Sequence, residues 1–366
     1  KGYEGSQDHD LLLRCVDLVK PDEIVHIPKI LYHWRSVSGS TALTAAEKNY
    51  TTKAGVKALA DYFGSKNTPV DVRVGMLPNT YKIDYAISEP HPKVSLIIPT
   101  RNQHRILSKC LDSILEKTRY PNFEILIINN KTTDPESLEY FRDIQQHPKI
   151  RIIDYDHPFN FSSINNFGIN HALGTVVGLL NNDIEVISPD WLGEMLKHVA
   201  RPEIGCVGAK LYYPDGKIQH AGVILGIGGV AGHSHKYFNR DEHGYFSRLK
   251  IIQNVSAVTA ACLLVRKEVY EEVCGLNERL AVAFNDVDFC LKVREAGYRN
   301  IWTPYAELYH HESISRGYED TPAKQKRFSK EVDLMKMLWQ GKLDQDPYYS
   351  PNLTKDHENF AIELGG

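Results

Sequence analysis

The sequence has no surplus of positive charge: 43 Lys and Arg face 46 Asp and Glu, a formal net charge of −3 over 366 residues. Without a basic field there is nothing to attract a nucleic-acid backbone, so no nucleic-acid partner is expected. Long apolar runs are also missing. The longest weakly polar stretch, residues 221–232, is twelve residues with five glycines, well short of the ~20 apolar residues of a membrane-spanning helix. That predicts no transmembrane segment and leaves at most a peripheral contact with a membrane. The six cysteines (Cys15, Cys110, Cys206, Cys262, Cys274, Cys290) show no Cys-x-x-Cys spacing, so neither a zinc site nor a redox pair is indicated. Reduced thiols in the cytoplasm are the simplest reading. There is no initial Met, and no charged-then-apolar signal segment follows Lys1, so a piece of a longer protein is expected. With 42% hydrophobic and 24% charged residues, neither disorder nor a fibrous repeat fits.

Between residues 93 and 180, short apolar runs alternate with helix-like stretches, the pattern of a mostly parallel α/β sheet. Strands are expected at 94–98 (stopping at Pro99), 124–128, 150–153 and 176–180. The second helix should begin at Asp134-Pro135, with Pro at a first position whose N–H has no helical partner. Helical spacing of Ile106, Cys110, Leu111, Ile114 and Leu115 predicts the first helix, and residues 162–173 a third. The last strand runs into Asn181-Asn182-Asp183, where open α/β sheets bind ligands. Upstream, residues 45–63 read as a helix closed by Gly64, and 65–92 as a linker with a possible strand at 81–87. Downstream, Phe328, Val332, Met335 and Leu338 predict the packing face of a helix. Residues 344–366 form a polar and aromatic tail.

The sequence repeats itself. Gln7-Asp8-His9-Asp10-Leu11 matches Asn285-Asp286-Val287-Asp288-Phe289, and Ile30-Leu31-Tyr32-His33 matches Glu307-Leu308-Tyr309-His310. The order and spacing predict that residues 1–64 are the C-terminal remnant of an upstream domain like the complete one at 93–343.

Several residues have the chemistry for a site. Asp183, after the most apolar strand, can offer a hard oxygen to Mg²⁺ or Mn²⁺, or simply form a turn. Asp286 and Asp288 open a helix, where carboxylates favour the macrodipole. Two positions apart they face different ways, so one can act as base while the other caps or orients. His310 follows a β-rich stretch, residues 300–309, and could join a carboxylate on Mn²⁺. His220, His233, His235 and His243 suggest a mobile, polar active-site loop rather than a zinc site. The run Gly226-Ile-Gly-Gly-Val-Ala-Gly232 lacks the spacing and the following helix of a dinucleotide fingerprint.

In this order the motifs Val94-Ser-Leu-Ile-Ile-Pro-Thr-Arg-Asn, Glu124-Ile-Leu-Ile-Ile-Asn-Asn, Asn166-Phe-Gly, Leu179-Leu-Asn-Asn-Asp, Asn285-Asp-Val-Asp-Phe and His310-His-Glu-Ser resemble family 2 glycosyltransferases of the GT-A fold. The likeness is greatest to bacterial members that build rhamnose-containing or O-antigen-type polysaccharides. The resemblance implies that Thr100, Asn102, Asn129, Asn166 and Asn182 bind the nucleotide donor. It implies that Asp183 and His310 hold the metal, that Asp286 is the general base, and that His220, Thr259 and Asp288 border the sugar or acceptor. The expected cofactor is Mn²⁺ or Mg²⁺, the donor a dTDP- or UDP-linked sugar, and the acceptor lipid-linked or an oligosaccharide.

The sequence departs from the family at three positions: Asn182 where a second metal-motif Asp is usual, Asn129 for a base-contacting Asp, and Asn285 for a Glu. A carbohydrate-binding module without catalysis is the alternative these asparagines suggest. A nucleotidyltransferase is disfavoured because Thr100-Arg-Asn-Gln103 has no phosphate-cradling glycine.

Overall fold

The computed structural model describes residues 2–32, 49–312 and 321–363. These divide into two compact units, one formed by the chain up to Ala86 with Phe246–Ile252, the other by Ile87–Tyr245 with the chain from Gln253. His33, the first copy's histidine, lies outside the described residues, as do Ser313 and Ser315.

In the first unit, helix α1 (Gln7–Cys15) packs on α2 (Asn49–Ser65), with the Ser6 hydroxyl donating to the Thr51 carbonyl at 2.9 Å. The stretch expected to be a linker carries a β-hairpin instead, β1 (Val70–Val74) antiparallel to β2 (Tyr81–Tyr85). Its alternation is partly hidden by charged outward positions, and its turn is anchored from outside. The Asn79 carbonyl oxygen accepts from the hydroxyls of Thr51 and Thr52 on α2, at 2.8 and 3.0 Å, while Asn79 itself takes a left-handed φ of 58°.

The second unit is the expected α/β architecture around a curled sheet. Its successive elements are β3 (Val94–Thr100), α3 (His104–Lys117), β4 (Phe123–Asn129), α4 (Pro135–Ile144), β5 (Ile150–Asp154), α5 (Phe161–Asn170) and β6 (Val176–Leu180). Strands β5, β4, β3 and β6 pair in that order, all parallel. Every residue of β4 and β6 is buried, as expected of strands covered on both faces. Pro99 does not stop β3. Pairing with β6 has already ended at Ile97, so Pro99 pairs only with β4, and no partner on the β6 side needs its missing N–H. At Gly168 of α5 an added Cβ would lie 2.6 Å from Ile97, so helix and sheet touch there only because the residue is glycine.

Then follow β7 (Ile184–Val186), α6 (Trp191–Val199), β8 (Ile204–Tyr212), β9 (Ile218–His220), β10 (Val223–Leu225), β11 (Ala231–His233), β12 (Gln253–Val255), β13 (Cys262–Arg266), α7 (Lys267–Glu272), α8 (Asn285–Glu295), β14 (Arg299–His310) and α9 (Pro322–Leu343). Strand β13 runs antiparallel between β6 and β8, and β14 lies parallel to β8. The sheet therefore delivers three chain segments to one edge: Asn181–Asp183 after β6, the residues before β13, and His310 at the end of β14.

The glycine run is the tight turn of the β10–β11 hairpin, with positive φ at Gly226, Gly228 and Gly229. The tail covers this hairpin: Tyr349, Leu353 and Phe360 cluster with Ile224 and Ile227, and the Asp346 carboxylate accepts from Leu225 N–H and the Ser256 hydroxyl, both at 2.8 Å. The histidine-rich stretch is accordingly not a polar loop. His235 is buried and stacks on Phe360 at 4.3 Å between ring centroids. The packing face of α9 is also turned from the expected one: Glu331, Leu334 and Met335 are buried, while Phe328 and Leu338 are exposed. Two polar contacts set that rotation, Glu331 to the segment before α8 and Trp339 to Asp288.

Candidate active site

A cavity of about 520 Å³ opens where these segments meet. Thr100, Arg101, Asn102, Asn130, Asn181, Asn182, Asp183, Thr259, Asp286 and His310 line it, with Phe159, Phe161 and Glu312. Seven of the eleven site residues expected from the sequence thus share one cavity.

The β3 end of the cavity is built from amides. Asn182 Nδ2 donates to Thr100 Oγ1 at 3.0 Å, joining the ends of β6 and β3. Asn102 has φ 54°, and its carbonyl oxygen accepts from the N–H groups of Thr133 and Asp134 at 3.0 and 3.2 Å, tying the loop after β3 to the loop after β4.

Asp183 and His310 lie at the centre. His310 Nε2 is 3.2 Å from Asp183 Oδ1 and 3.1 Å from Asn181 Nδ2, and its Nδ1 is 2.7 Å from Gln219 Oε1. Gln219 Nε2 is spent on Glu312 at 3.0 Å and on the His310 carbonyl, so its oxygen faces the ring and Nδ1 must carry the proton. A neutral His310 then directs its Nε2 lone pair at a carboxylate oxygen that is buried and has no hydrogen-bond donor. Two acceptors held 3.2 Å apart suit a shared cation. Burial works against the charged form of Asp183, but the His310 ring and, further off, His311 outweigh it and hold the carboxyl below its usual range. A carboxylate with an imidazole suits Mn²⁺. No group of three or more His, Cys, Asp or Glu occurs among the described residues, which fits an ion completed by substrate phosphates and water. The residues present therefore fit the expected metal.

Asp286 sits at the start of α8, half-buried and open to the cavity. Ala260 N–H donates to its Oδ2 at 3.1 Å, Val287 N–H to its Oδ1 at 2.9 Å, and the Thr259 hydroxyl also bonds the carboxylate. Burial nonetheless prevails and raises its pKa, the direction a general base needs. Phe284, at φ 60°, turns the chain into α8, and Glu331 of α9 fixes the approach by accepting from Val282 and Ala283 N–H at 2.9 and 3.1 Å.

Four expected residues do not line the cavity. The Asn129 amide is used up inside the fold, donating to Asp154 at 2.8 Å and accepting from Thr132 N–H at 3.0 Å, and its neighbour Asn130 lines the cavity instead. Asn166 clamps the turn after α7: it accepts from the Tyr270 hydroxyl and Leu276 N–H and donates to the Leu276 carbonyl and Glu278. Asp288 anchors α9 by accepting from Trp339 Nε1 at 2.8 Å. His220 lies behind the cavity wall, bonded to His233 and to Thr259 N–H. Gln219 escaped the sequence reading because no motif marks it; its only signal is its place beside His220.

A metal-fitting carboxylate at the end of β6, a buried base opposite and an amide-lined β3 edge, on this sheet, define a GT-A glycosyltransferase. Residues 95–274 match the Glycosyl transferase family 2 description, and the chain belongs to that family. It is 48% identical over 365 residues to the uncharacterized protein y4gI of Sinorhizobium fredii, covering 99% of this chain and 40% of that protein. It is 37% identical over 366 residues to the O-antigen biosynthesis protein RfbC of Myxococcus xanthus, covering 97% and 27%. The chain thus spans well under half the length of these relatives. Among solved structures, GalNAc-T7 with UDP, GalNAc and Mn²⁺ superposes with a TM-score of 0.56 at 12% identity, over 69% of this chain and 50% of that one, a likeness of fold. No helix among the described residues is long and apolar enough to cross a membrane.

Proposed function

We propose that this domain transfers a sugar, with inversion, from a dTDP- or UDP-linked donor to a hydroxyl of a lipid-linked or oligosaccharide acceptor, in the cytoplasmic assembly of a bacterial cell-surface polysaccharide. Rhamnose is the proposed sugar, after the family branch the motifs resemble. The observation that carries the reading is the pairing, in one cavity, of the Asp183–His310 acceptor pair with the buried, hydrogen-bonded Asp286.

Thr100, Asn102 and Asn182 frame the donor's end of the cavity, and Arg101 adds a cation beside the diphosphate. Asp183 and His310 would hold Mn²⁺ or Mg²⁺, which supplies neutralisation of the charge growing on the departing diphosphate. Asp286 accepts the proton of the acceptor hydroxyl as that oxygen bonds to the anomeric carbon and the bond from that carbon to the diphosphate oxygen breaks. One base suffices because no covalent sugar–enzyme intermediate forms. Incubation with a panel of nucleotide sugars, Mn²⁺ and oligosaccharide acceptors, read by mass spectrometry, tests this. A glycosylated product supports it; binding of a nucleotide sugar without any product would favour the carbohydrate-binding alternative.

We also propose that residues 1–64 are the end of a second such domain. Helix α1 starts 278 residues before α8, and α2 ends 278 residues before α9. In both pairs an acid at the end of the first helix meets a lysine beyond it, Asp17 with Lys66 at 2.8 Å and Glu295 with Lys342. Leu11 and Leu12 are exposed at the positions of Phe289 and Cys290, which are fully buried. Sequencing the gene upstream tests this: an α/β-patterned domain before Lys1 supports it, and its absence refutes it.

A further inference from the structure

Strand β9 is three residues long, yet it touches both halves of the site. It pairs with β8 as His220↔Leu211 and Ile218↔Tyr212, which leaves Gln219 as the extra residue of a bulge. Bulges re-aim side chains and occur often beside active sites. Here Gln219 reaches His310 and Glu312, while His220 reaches His233 and Thr259.

The proton positions in this array follow from its donors. Glu312 and the His310 carbonyl take the Gln219 amide hydrogens, so Gln219 Oε1 accepts from His310 Nδ1 and the other ring nitrogen is left bare toward Asp183. On the neighbouring residue, Thr259 N–H can only donate, so His220 Nε2 accepts, at 3.4 Å. His220 Nδ1 must then donate to His233 Nδ1 at 2.8 Å. Both of those rings are neutral in this arrangement, and burial pushes their pKa values down, that of His233 to about 4. Thr259 in turn bonds Asp286 through its hydroxyl, and the next N–H, of Ala260, completes the hold on that carboxylate.

We infer that Gln219 and His220 are positioning residues acting in opposite directions from one bulge: Gln219 fixes the ring and tautomer of His310, and His220 fixes the Thr259–Ala260 segment that holds Asp286. This rests on the proposed roles of Asp183, His310 and Asp286. Outer partners of metal ligands commonly govern affinity by 10–100-fold, and a carboxylate that loses hydrogen bonds becomes easier to protonate.

The test needs no donor substrate. Mn²⁺ alone is titrated by electron paramagnetic resonance, and the Asp286 carboxyl is followed by ¹³C NMR, with Asp286→Asn assigning the signal. Gln219→Met should weaken Mn²⁺ binding by about tenfold or more and leave the Asp286 carboxyl in place. His220→Leu should raise the Asp286 pKa by about one pH unit with Mn²⁺ binding unchanged, and His220→Gln, which keeps an acceptor for Thr259 N–H, should restore it. In the unmodified protein, imidazole ¹H–¹⁵N spectra should show the proton on Nδ1 of both His310 and His220, a measurement that holds even if a variant fails to fold. A proton on Nε2 of either neutral ring overturns the inference. So does normal Mn²⁺ binding by Gln219→Met while Asp183→Ala and His310→Ala lose it, or an unmoved Asp286 in His220→Leu. If Asp183→Ala and His310→Ala themselves bind Mn²⁺ normally, the metal reading falls and the role of Gln219 falls with it.

Discussion

His310 Nε2 lies 3.2 Å from Asp183 Oδ1, and Gln219 leaves that nitrogen without a proton in the neutral ring. Two ligands from one sheet edge give modest affinity alone and more once a diphosphate completes the shell. Asp183→Ala and His310→Ala should each weaken Mn²⁺ binding in the presence of UDP or dTDP by about tenfold or more, read by calorimetry. Chelation with EDTA should abolish sugar transfer, and added Mn²⁺ should restore it.

The two key aspartates should titrate in opposite ways. Asp286 has a pKa raised by burial, so its charged form costs stability in the folded state at neutral pH. Replacing it by Asn should therefore raise the melting temperature at pH 7, with the gain fading as pH falls toward the unfolded carboxyl range. Asp183, whose pKa His310 lowers against the effect of burial, contributes stability above the unfolded range and loses it as pH falls through its folded value. Asp183→Asn should destabilise at pH 7 in the absence of metal. Thermal melts of both variants between pH 3 and 8 check the signs.

Asn166 separates a structural clamp from a donor contact. Its amide makes four hydrogen bonds around the turn at Gly275, where the backbone φ is 61° and an added Cβ would lie 2.7 Å from Asn166 Oδ1. Asn166→Ala should cost roughly 1–3 kcal/mol of stability and leave UDP and dTDP affinity unchanged at a temperature where it is folded. Loss of nucleotide affinity without loss of stability would return Asn166 to the donor site.

The parallel half of the sheet was legible because buried parallel strands read as unbroken apolar runs, and β6 matches its expected bounds at both ends. The β1–β2 hairpin was not, because it is anchored by Asn79 to threonines nearly thirty residues away. Asp183, Asp286 and His310 were found because each follows or opens a strongly patterned element. Asn129, Asn166, His220 and Asp288 were misplaced for a different reason: a motif gives a residue's place in the chain but not what its side chain is already bonded to. Gln219 has no periodicity and no motif, and only the bulge in β9 brings it to His310.

The acid limb of the pH–rate profile should come from Asp286. A base must be ionised to act, so kcat should fall as pH drops through its raised pKa, placing the limb above the ordinary aspartate value of 3.8. The other titratable groups lining the cavity are Asp183, His310, Glu312 and Arg101. The limb should therefore move in His220→Leu, which alters the hold on Asp286 and touches none of these four.

The most direct measurement compares the unmodified protein with Asp286→Asn in the presence of Mn²⁺, nucleotide sugar and acceptor, with donor binding read by calorimetry and product by mass spectrometry. Donor binding should persist while transfer falls by ~10²–10⁴-fold. Near-normal turnover by Asp286→Asn would contradict the assignment of Asp286 as the base.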